Sequence, residues 1–126
     1  MRILKYCRLS FIILMLGCAT ASASESISPQ EASAMSTGQK AVIVDVREDS
    51  EWNAQHIPGA IHIPLAQLND RLSELKPYKD SPVITQCRSG GRSAKAQDLL
   101  KSAGFANVYN MDGGIIAWDK AGLKTE

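Results

Sequence analysis

This chain has little with which to hold a metal, pair sulfurs, grip nucleic acid or cross a membrane. Histidine occurs twice in 126 residues, and His56 and His62 lack the companions of a metal site. Cysteine occurs three times. Cys7 and Cys18 fall in a stretch that reads as a leader, so Cys87 is left with no sulfur to pair with. Basic residues barely outnumber acidic ones, 14 to 13, and no basic patch argues for nucleic acid or an anionic membrane. The apolar run over residues 9–17 is well short of the roughly 20 residues that a helix needs to span a bilayer. No repeat is visible, nor any low-complexity tract beyond the small residues near the end of the leader.

The leader has three parts in order. Arg2, Lys5 and Arg8 give a positive start, the apolar run follows, and Ala19, Ala21 and Ala23 supply small residues for cleavage. The expectation is a signal peptide over residues 1–23, cut after Ala23 in preference to Ala21, and a periplasmic or secreted protein. Gly17-Cys18 offers a second route, lipid attachment at Cys18, with Met15 where such sites usually carry leucine. The protein would then be membrane-anchored through Cys18; otherwise no membrane is expected. Loss of the three leader cations leaves 11 basic against 13 acidic residues. Residues 24–126 have the usual size of one domain with one core. A lone thiol in an oxidising compartment invites a functional explanation.

Strands and helices alternate along this domain. Ser28, Pro29 and Glu31 have the spacing of a helix start, with Gly38 as its end. Residues 41–46 form a β-branched apolar run that suits a strand buried on both faces. Residues 48–55 are helical in composition, and Pro58 ends them. After a short strand at 60–63, Leu65, Leu68, Leu72 and Leu75 predict a helix that runs to Pro77. A strand over 82–86 leads straight into Cys87. Ala96, Leu99, Leu100 and Ala103 mark the buried stripe of the next helix, with Gly104 at its end. A last strand at 107–111 precedes Asp112 as a cap and a helix carrying Ile115 and Trp118. Leu68, Leu72, Met35, Met111, Trp52 and Trp118 are assigned to core packing. The alternation predicts a parallel sheet covered on both faces, with the ligand site beyond the carboxyl ends of the strands.

Cys87 falls in that place, in the run Cys87-Arg88-Ser89-Gly90-Gly91-Arg92-Ser93. A thiol attacks as its thiolate, so something local must favour the anion. The start of the following helix, the guanidinium groups of Arg88 and Arg92, and inward backbone N–H groups can do so. Gly90-Gly91 frees the backbone for a tight cradle, and Ser89 and Ser93 can add hydroxyl donors. Gly-Gly by itself would mark only a turn. Strand, cysteine, glycine turn, arginine and helix together point to a nucleophile.

Spacing separates two anion chemistries. A cysteine phosphatase keeps five residues between cysteine and arginine, often with histidine before the cysteine. Here four residues separate Cys87 from Arg92, Ser93 stands in the phosphatase arginine's place, and Gln86 precedes the cysteine. The tighter ring should crowd a phosphoryl group and still hold one extra sulfur.

Asp45-Val46-Arg47 with Glu51-Trp52, His56-Ile57-Pro58-Gly59-Ala60, the loop from Cys87 to Arg92, and Asp112-Gly113-Gly114 with Trp118 occur in the order found in single-domain rhodaneses, and the chain resembles that sulfurtransferase family. The resemblance implies an α/β domain with a parallel sheet of about five strands, helices on both faces and the active loop after the fourth strand. It implies that Cys87 accepts sulfur from an anionic donor such as thiosulfate and passes it to cyanide or a thiol, without metal or organic cofactor. Arg92 resembles the arginine that closes the loop and steadies its anion, and Arg88 the basic residue that attracts anionic donors. Ser89, Gly90, Gly91 and Ser93 would complete the substrate-binding loop. Asp45, Arg47, His56, Gly113, Gly114 and Trp118 match motifs with structural roles, Asp45 and Arg47 through charge pairing and His56 by shaping a turn. Three other readings compete: a persulfide relay to a partner protein, a phosphatase or arsenate reductase, and a binding module without catalysis. The last usually lacks the cysteine, and nothing in the sequence sets an oligomeric state.

Overall fold

Among the described residues, the β-branched runs of the centre and three shorter or more mixed segments pair as five parallel strands in the order β1-β5-β4-β2-β3. The computed structural model describes residues 25–126, so the leader expected over 1–23 and the lipid-attachment candidate Cys18 lie outside the described residues. The strands are β1 (Ser26–Ile27), β2 (Val42–Asp45), β3 (Ile61–His62), β4 (Val83–Gln86) and β5 (Val108–Met111). Between them run the helices α1 (Pro29–Gly38), α2 (Asp49–Ala54), α3 (Leu65–Leu68) and α4 (Gly91–Ser102), and α5 (Gly114–Lys120) follows the last strand.

β2 and β4 are buried along their whole length, which is why their sequences show no polar alternation. Alternate residues serve opposite faces. Val42, Val44, Val83 and Cys87 pack with Leu68, Leu75, Ala96 and Leu100 on one side. Ile43 and Ile84 pack with Ala32, Met111, Ile115 and Trp118 on the other. Both faces are thus closed by helices, and the polar ends of β2, β4 and β5 meet along one edge.

Four local expectations are corrected by the structure. The leucine run does not form one helix: α3 ends at Leu68, and a 3-10 helix follows over Asn69–Tyr78, with Arg71 off helical geometry (φ −115°, ψ 16°) and Pro77 inside it. Leu68 and Leu75 are fully buried nonetheless, since a spacing near three residues suits either helix. Asp112 does not cap α5, because the N-cap position is Gly113 and carries no side-chain bond. Trp52 belongs to neither core cluster. It is half-buried and stacks between His56, with ring centroids 3.8 Å apart, and His62, at 4.7 Å. Finally, Ser26–Ile27 adds an edge strand, paired to β5 through Asn110 and Met111.

Candidate active site

Cys87 leaves β4 with its side chain in the core face and only 1% of its surface exposed. The chain then turns through Gly90, whose φ of 118° an L side chain rarely adopts. That turn aims the Gly90 N–H at Cys87 Sγ, 3.1 Å away. The Ser93 hydroxyl lies 3.3 Å from the same sulfur. Burial alone pushes the thiol up, but the Ser93 hydroxyl and the N–H groups of Ser93, Gly90 and Ser89 outweigh it and bring Cys87 below its ordinary value. The loop is therefore an anion cradle built mainly from backbone. Gly91 opens α4 with no φ in the left-handed region, so the cradle needs one glycine of the pair. Ser89 is exposed and contributes its N–H.

The cradle is held from behind by two elements. Asn110, near the end of β5, has its Oδ1 2.6 Å from Ser93 Oγ, where it shares with Cys87 Sγ the one proton that the hydroxyl can give, and its Nδ2 donates to the Gly90 carbonyl at 3.2 Å. The start of α5 grips the loop backbone: Ile115 N–H donates to the Cys87 carbonyl at 2.9 Å and Ile116 N–H to that of Arg88 at 3.2 Å. Such contact requires Gly114, where a Cβ would overlap the Arg88 carbonyl. Gly113 and Gly114 thus lie behind the loop. Trp118 is core, its Nε1–H bonded to the Lys124 carbonyl at 2.9 Å.

The arginines take different places. Arg92 turns its guanidinium to Glu51, with Nη1 to Oε2 at 2.7 Å and Nη2 to Oε1 at 2.8 Å. Glu51 Oε2 also accepts from the Glu48 N–H at 2.9 Å and so closes the first turn of α2. These bonds hold the Glu51 carboxyl at about 2. Arg47 is buried against Asp45, Nη2 to Oδ2 at 2.6 Å, and also donates to the carbonyls of Glu51 and Gln55 at the exposed end of α2. Arg88 is exposed and lines an open cleft of about 350 Å³ between α2 and α5, with Ala54, Ile115 and Ile116 as its apolar wall. His56 sits apart: its Nδ1 is 3.0 Å from the Trp52 carbonyl and its backbone exchanges two bonds with Glu126. Among the described residues, no group of three or more His, Cys, Asp or Glu is placed to hold a metal ion.

Asn110, the α5 N–H groups and the pairing of Glu51, a residue visible only as part of a motif, with Arg92 are the parts of this site that sequence reasoning missed. A polar residue in an otherwise apolar strand was a readable signal for Asn110. The Glu51 pair spans 41 residues and has no local signature.

Known proteins match the chain over the same region. The model of the family described as "Rhodanese-like domain" matches residues 28–121. A relative from Mycobacterium tuberculosis named a probable adenylyltransferase/sulfurtransferase MoeZ is 36% identical over 103 residues, which cover 81% of this chain and 26% of that protein. The chain therefore spans about a quarter of that relative's length. The thiosulfate sulfurtransferase GlpE of Pseudomonas fluorescens is 39% identical over 94 residues, 73% of this chain and 82% of its own. The crystal structure of a rhodanese-related protein from Thermoplasma volcanium superposes with a TM-score of 0.73 at 27% identity, covering 81% of this chain and 97% of that one.

Proposed function

Because the chain belongs to the rhodanese-like domain family, we propose that it is a sulfurtransferase in which Cys87 carries the sulfur as a persulfide. The Cys87 thiolate attacks the outer sulfur of an anionic donor such as thiosulfate. A bond forms from Sγ to that sulfur as the donor's S–S bond breaks, and sulfite leaves with the electron pair. Cyanide or a thiol then attacks the outer sulfur of the persulfide and returns Cys87 as thiolate. The observation that carries this reading is the Gly90 N–H aimed at Sγ from 3.1 Å. With Ser93 it stabilises negative charge on the attacking sulfur and on the leaving thiolate of the second step. Arg88, exposed at the cleft beside the loop, is suited to draw anionic donors in. Export by the segment 1–23 belongs to the same reading, as does a small-molecule or protein thiol as acceptor.

The test is incubation with thiosulfate followed by intact-mass measurement. The expected result is a gain of one sulfur atom, reversed by cyanide and absent in Cys87→Ser. An adduct that survives in Cys87→Ser, or no adduct with any donor, would sink the proposal. Rapid Cys87-dependent hydrolysis of an aryl phosphate would favour the phosphatase reading instead.

A further inference from the structure

We propose that Asn110 is a positioning residue for the chemistry of Cys87: its side-chain carbonyl holds the Ser93 hydroxyl while Sγ is neutral and releases it to Sγ when the sulfur carries charge. The proton stays bonded to Ser93 Oγ throughout, and only the direction of the O–H bond changes. The rotation concerns Cys87 and its neighbours alone; its use in sulfur transfer rests on the sulfurtransferase reading. In that cycle the hydroxyl follows the charge. It donates to Sγ before the attack, to Asn110 while the persulfide stands, and to Sγ again as the acceptor takes the outer sulfur.

Ser93 Oγ has one proton to give and three acceptors in reach: Asn110 Oδ1 at 2.6 Å, the Gly90 carbonyl at 3.1 Å and Cys87 Sγ at 3.3 Å. The contact with Asn110 is at the short end for a hydroxyl and an oxygen. Asn110 Nδ2 donates to the Gly90 carbonyl, which turns Oδ1 toward Ser93. Among the described residues, Ser93 is the only donor to that oxygen. Turning the hydroxyl to the sulfur therefore strands an acceptor in the interior, where the loss is felt, since Asn110 is 9% exposed and Ser93 fully buried. The heavy atoms are held in place. Asn110 pairs with Thr85 in the sheet and donates its N–H to the Glu25 carbonyl, while the Thr85 hydroxyl donates to the Ser93 carbonyl at 2.9 Å. Rotation about the Ser93 Cβ–Oγ bond is the freedom that remains. A thiol, or the inner sulfur of a persulfide, is a weak acceptor and loses the proton to the amide; a thiolate is a charged one and wins it. Asn110 thus limits how far Ser93 favours the anion. The charged side chains on the elements that meet here are Arg88 and Arg92 in the loop, Lys95 on α4, Glu48 and Glu51 at the start of α2, Asp45 and Arg47 at the end of β2, Glu25 before β1 and Asp112 before α5. None of these side chains bonds to Ser93, to the Asn110 amide or to Sγ, so a change at Asn110 leaves their own bonds in place.

The test follows the pH midpoint of Cys87 alkylation by iodoacetamide, read by peptide mass mapping of the full chain. Asn110→Leu keeps a side chain branched at Cγ and removes the acceptor, so the midpoint should fall, opposite to the direction expected for Ser93→Ala. With Ser93→Ala already in place, the same substitution should leave the midpoint where Ser93→Ala alone puts it, because there is no hydroxyl left to compete for. A mere brace would behave otherwise: loosening the loop draws the Gly90 N–H from Sγ and raises the midpoint with or without Ser93. A rise or no change in Asn110→Leu, or an equal shift in both backgrounds, would overturn the proposal. A measurement on the native protein stands even if Asn110→Leu fails to fold. With asparagine labelled with carbon-13 at the side-chain carbonyl, the Asn110 resonance should move upfield as Cys87 ionises, the direction of a carbonyl losing a hydrogen bond. No movement, or movement downfield, would refute the rotation. None of these readouts needs sulfur transfer, so failure of the sulfurtransferase reading would be recognised separately, by the thiosulfate mass measurement.

Discussion

Gly114→Ala should damage this domain more than any other single methyl group added to the site, and the reason lies in the backbone of the catalytic loop. Gly114 has φ +58°, and its absent Cβ would fall on the Arg88 carbonyl, with the Cys87 carbonyl also inside contact distance. The left-handed conformation costs alanine about 1 kcal/mol. The overlap adds about 2 kcal/mol, since its partners are backbone atoms and relief requires moving the loop. A total of about 3 kcal/mol corresponds to a fall in Tm of about 12–24 °C for a domain of this size. Moving the loop would also loosen the bonds from Ile115 and Ile116 to the Cys87 and Arg88 carbonyls and draw the Gly90 N–H away from Sγ. The pH midpoint of Cys87 alkylation should therefore rise as well. Gly91→Ala is the matched control, because nothing lies within 4 Å of its Cβ position. It opens α4 with φ outside the left-handed region, so Tm should hold or rise slightly. Thermal melts and alkylation profiles of both variants decide the matter. If Gly114→Ala melts within about 3 °C of the native protein with an unchanged alkylation midpoint, the loop is not braced in the way described.

Ser93→Ala removes a side-chain contact that lowers the Cys87 thiol, so the iodoacetamide midpoint should move up; an unchanged midpoint would mean the backbone N–H groups suffice. Asp45→Ala strands the guanidinium of Arg47, which is 3% exposed, and should cost about 3–5 kcal/mol in chemical denaturation; a loss below about 1 kcal/mol would mean the arginine finds water. Because Glu51 is depressed from 4.5 to about 2 in the folded state, its contribution is fully present above the ordinary carboxylate value and is lost as pH falls through about 2. With the pair partly exposed, roughly 1–2 kcal/mol is at stake, and urea midpoints of native protein and Glu51→Gln at about pH 6 and pH 3 should converge on acidification; parallel curves would refute the linkage.

The sheet could be read from the chain because its central strands carry their burial in their composition. Val42, Ile43 and Val44 are buried on both faces, which forces an unbroken branched run, and the end of β4 gave the position of Cys87 directly. What escaped was cooperative over distance. β1 offers Ile27 as its one buried residue, too little for a pattern, and it exists as a strand through the bonds from Asn110 N–H to the Glu25 carbonyl and from Asp112 N–H to the Ile27 carbonyl. The leucines at 65, 68, 72 and 75 specify which side is buried and not which helix carries them, as the break at Arg71 demonstrates. Trp52 looks like core by type, yet it stacks between imidazoles at the edge. The pair of Gly113 and Gly114 is visible as a motif, but the close approach that requires it appears only once α5 meets the loop. Asp112 was the obvious cap by residue type and lost that place to a backbone-only start.

The one-residue difference between this loop and that of a cysteine phosphatase acquires a physical meaning through α4. The helix begins at Gly91, so Arg92 and Ser93 both lie in its first turn, and successive residues there point about 100° apart. Only one of them can face the sulfur. Ser93 does so: it is fully buried and its hydroxyl lies 3.3 Å from Sγ. Arg92, a step earlier, is thereby rotated outward, where Glu51 meets it. A guanidinium at position 93 would instead point inward at an anion, with a charge fit for a phosphoryl group and a bulk that the fully buried Ser93 site does not admit, its Oγ already lying 2.6 Å from Asn110 Oδ1 and 3.3 Å from Sγ. Four intervening residues thus exchange a charge for a hydroxyl at the sulfur, and the same helical step that achieves this delivers the arginine to α2.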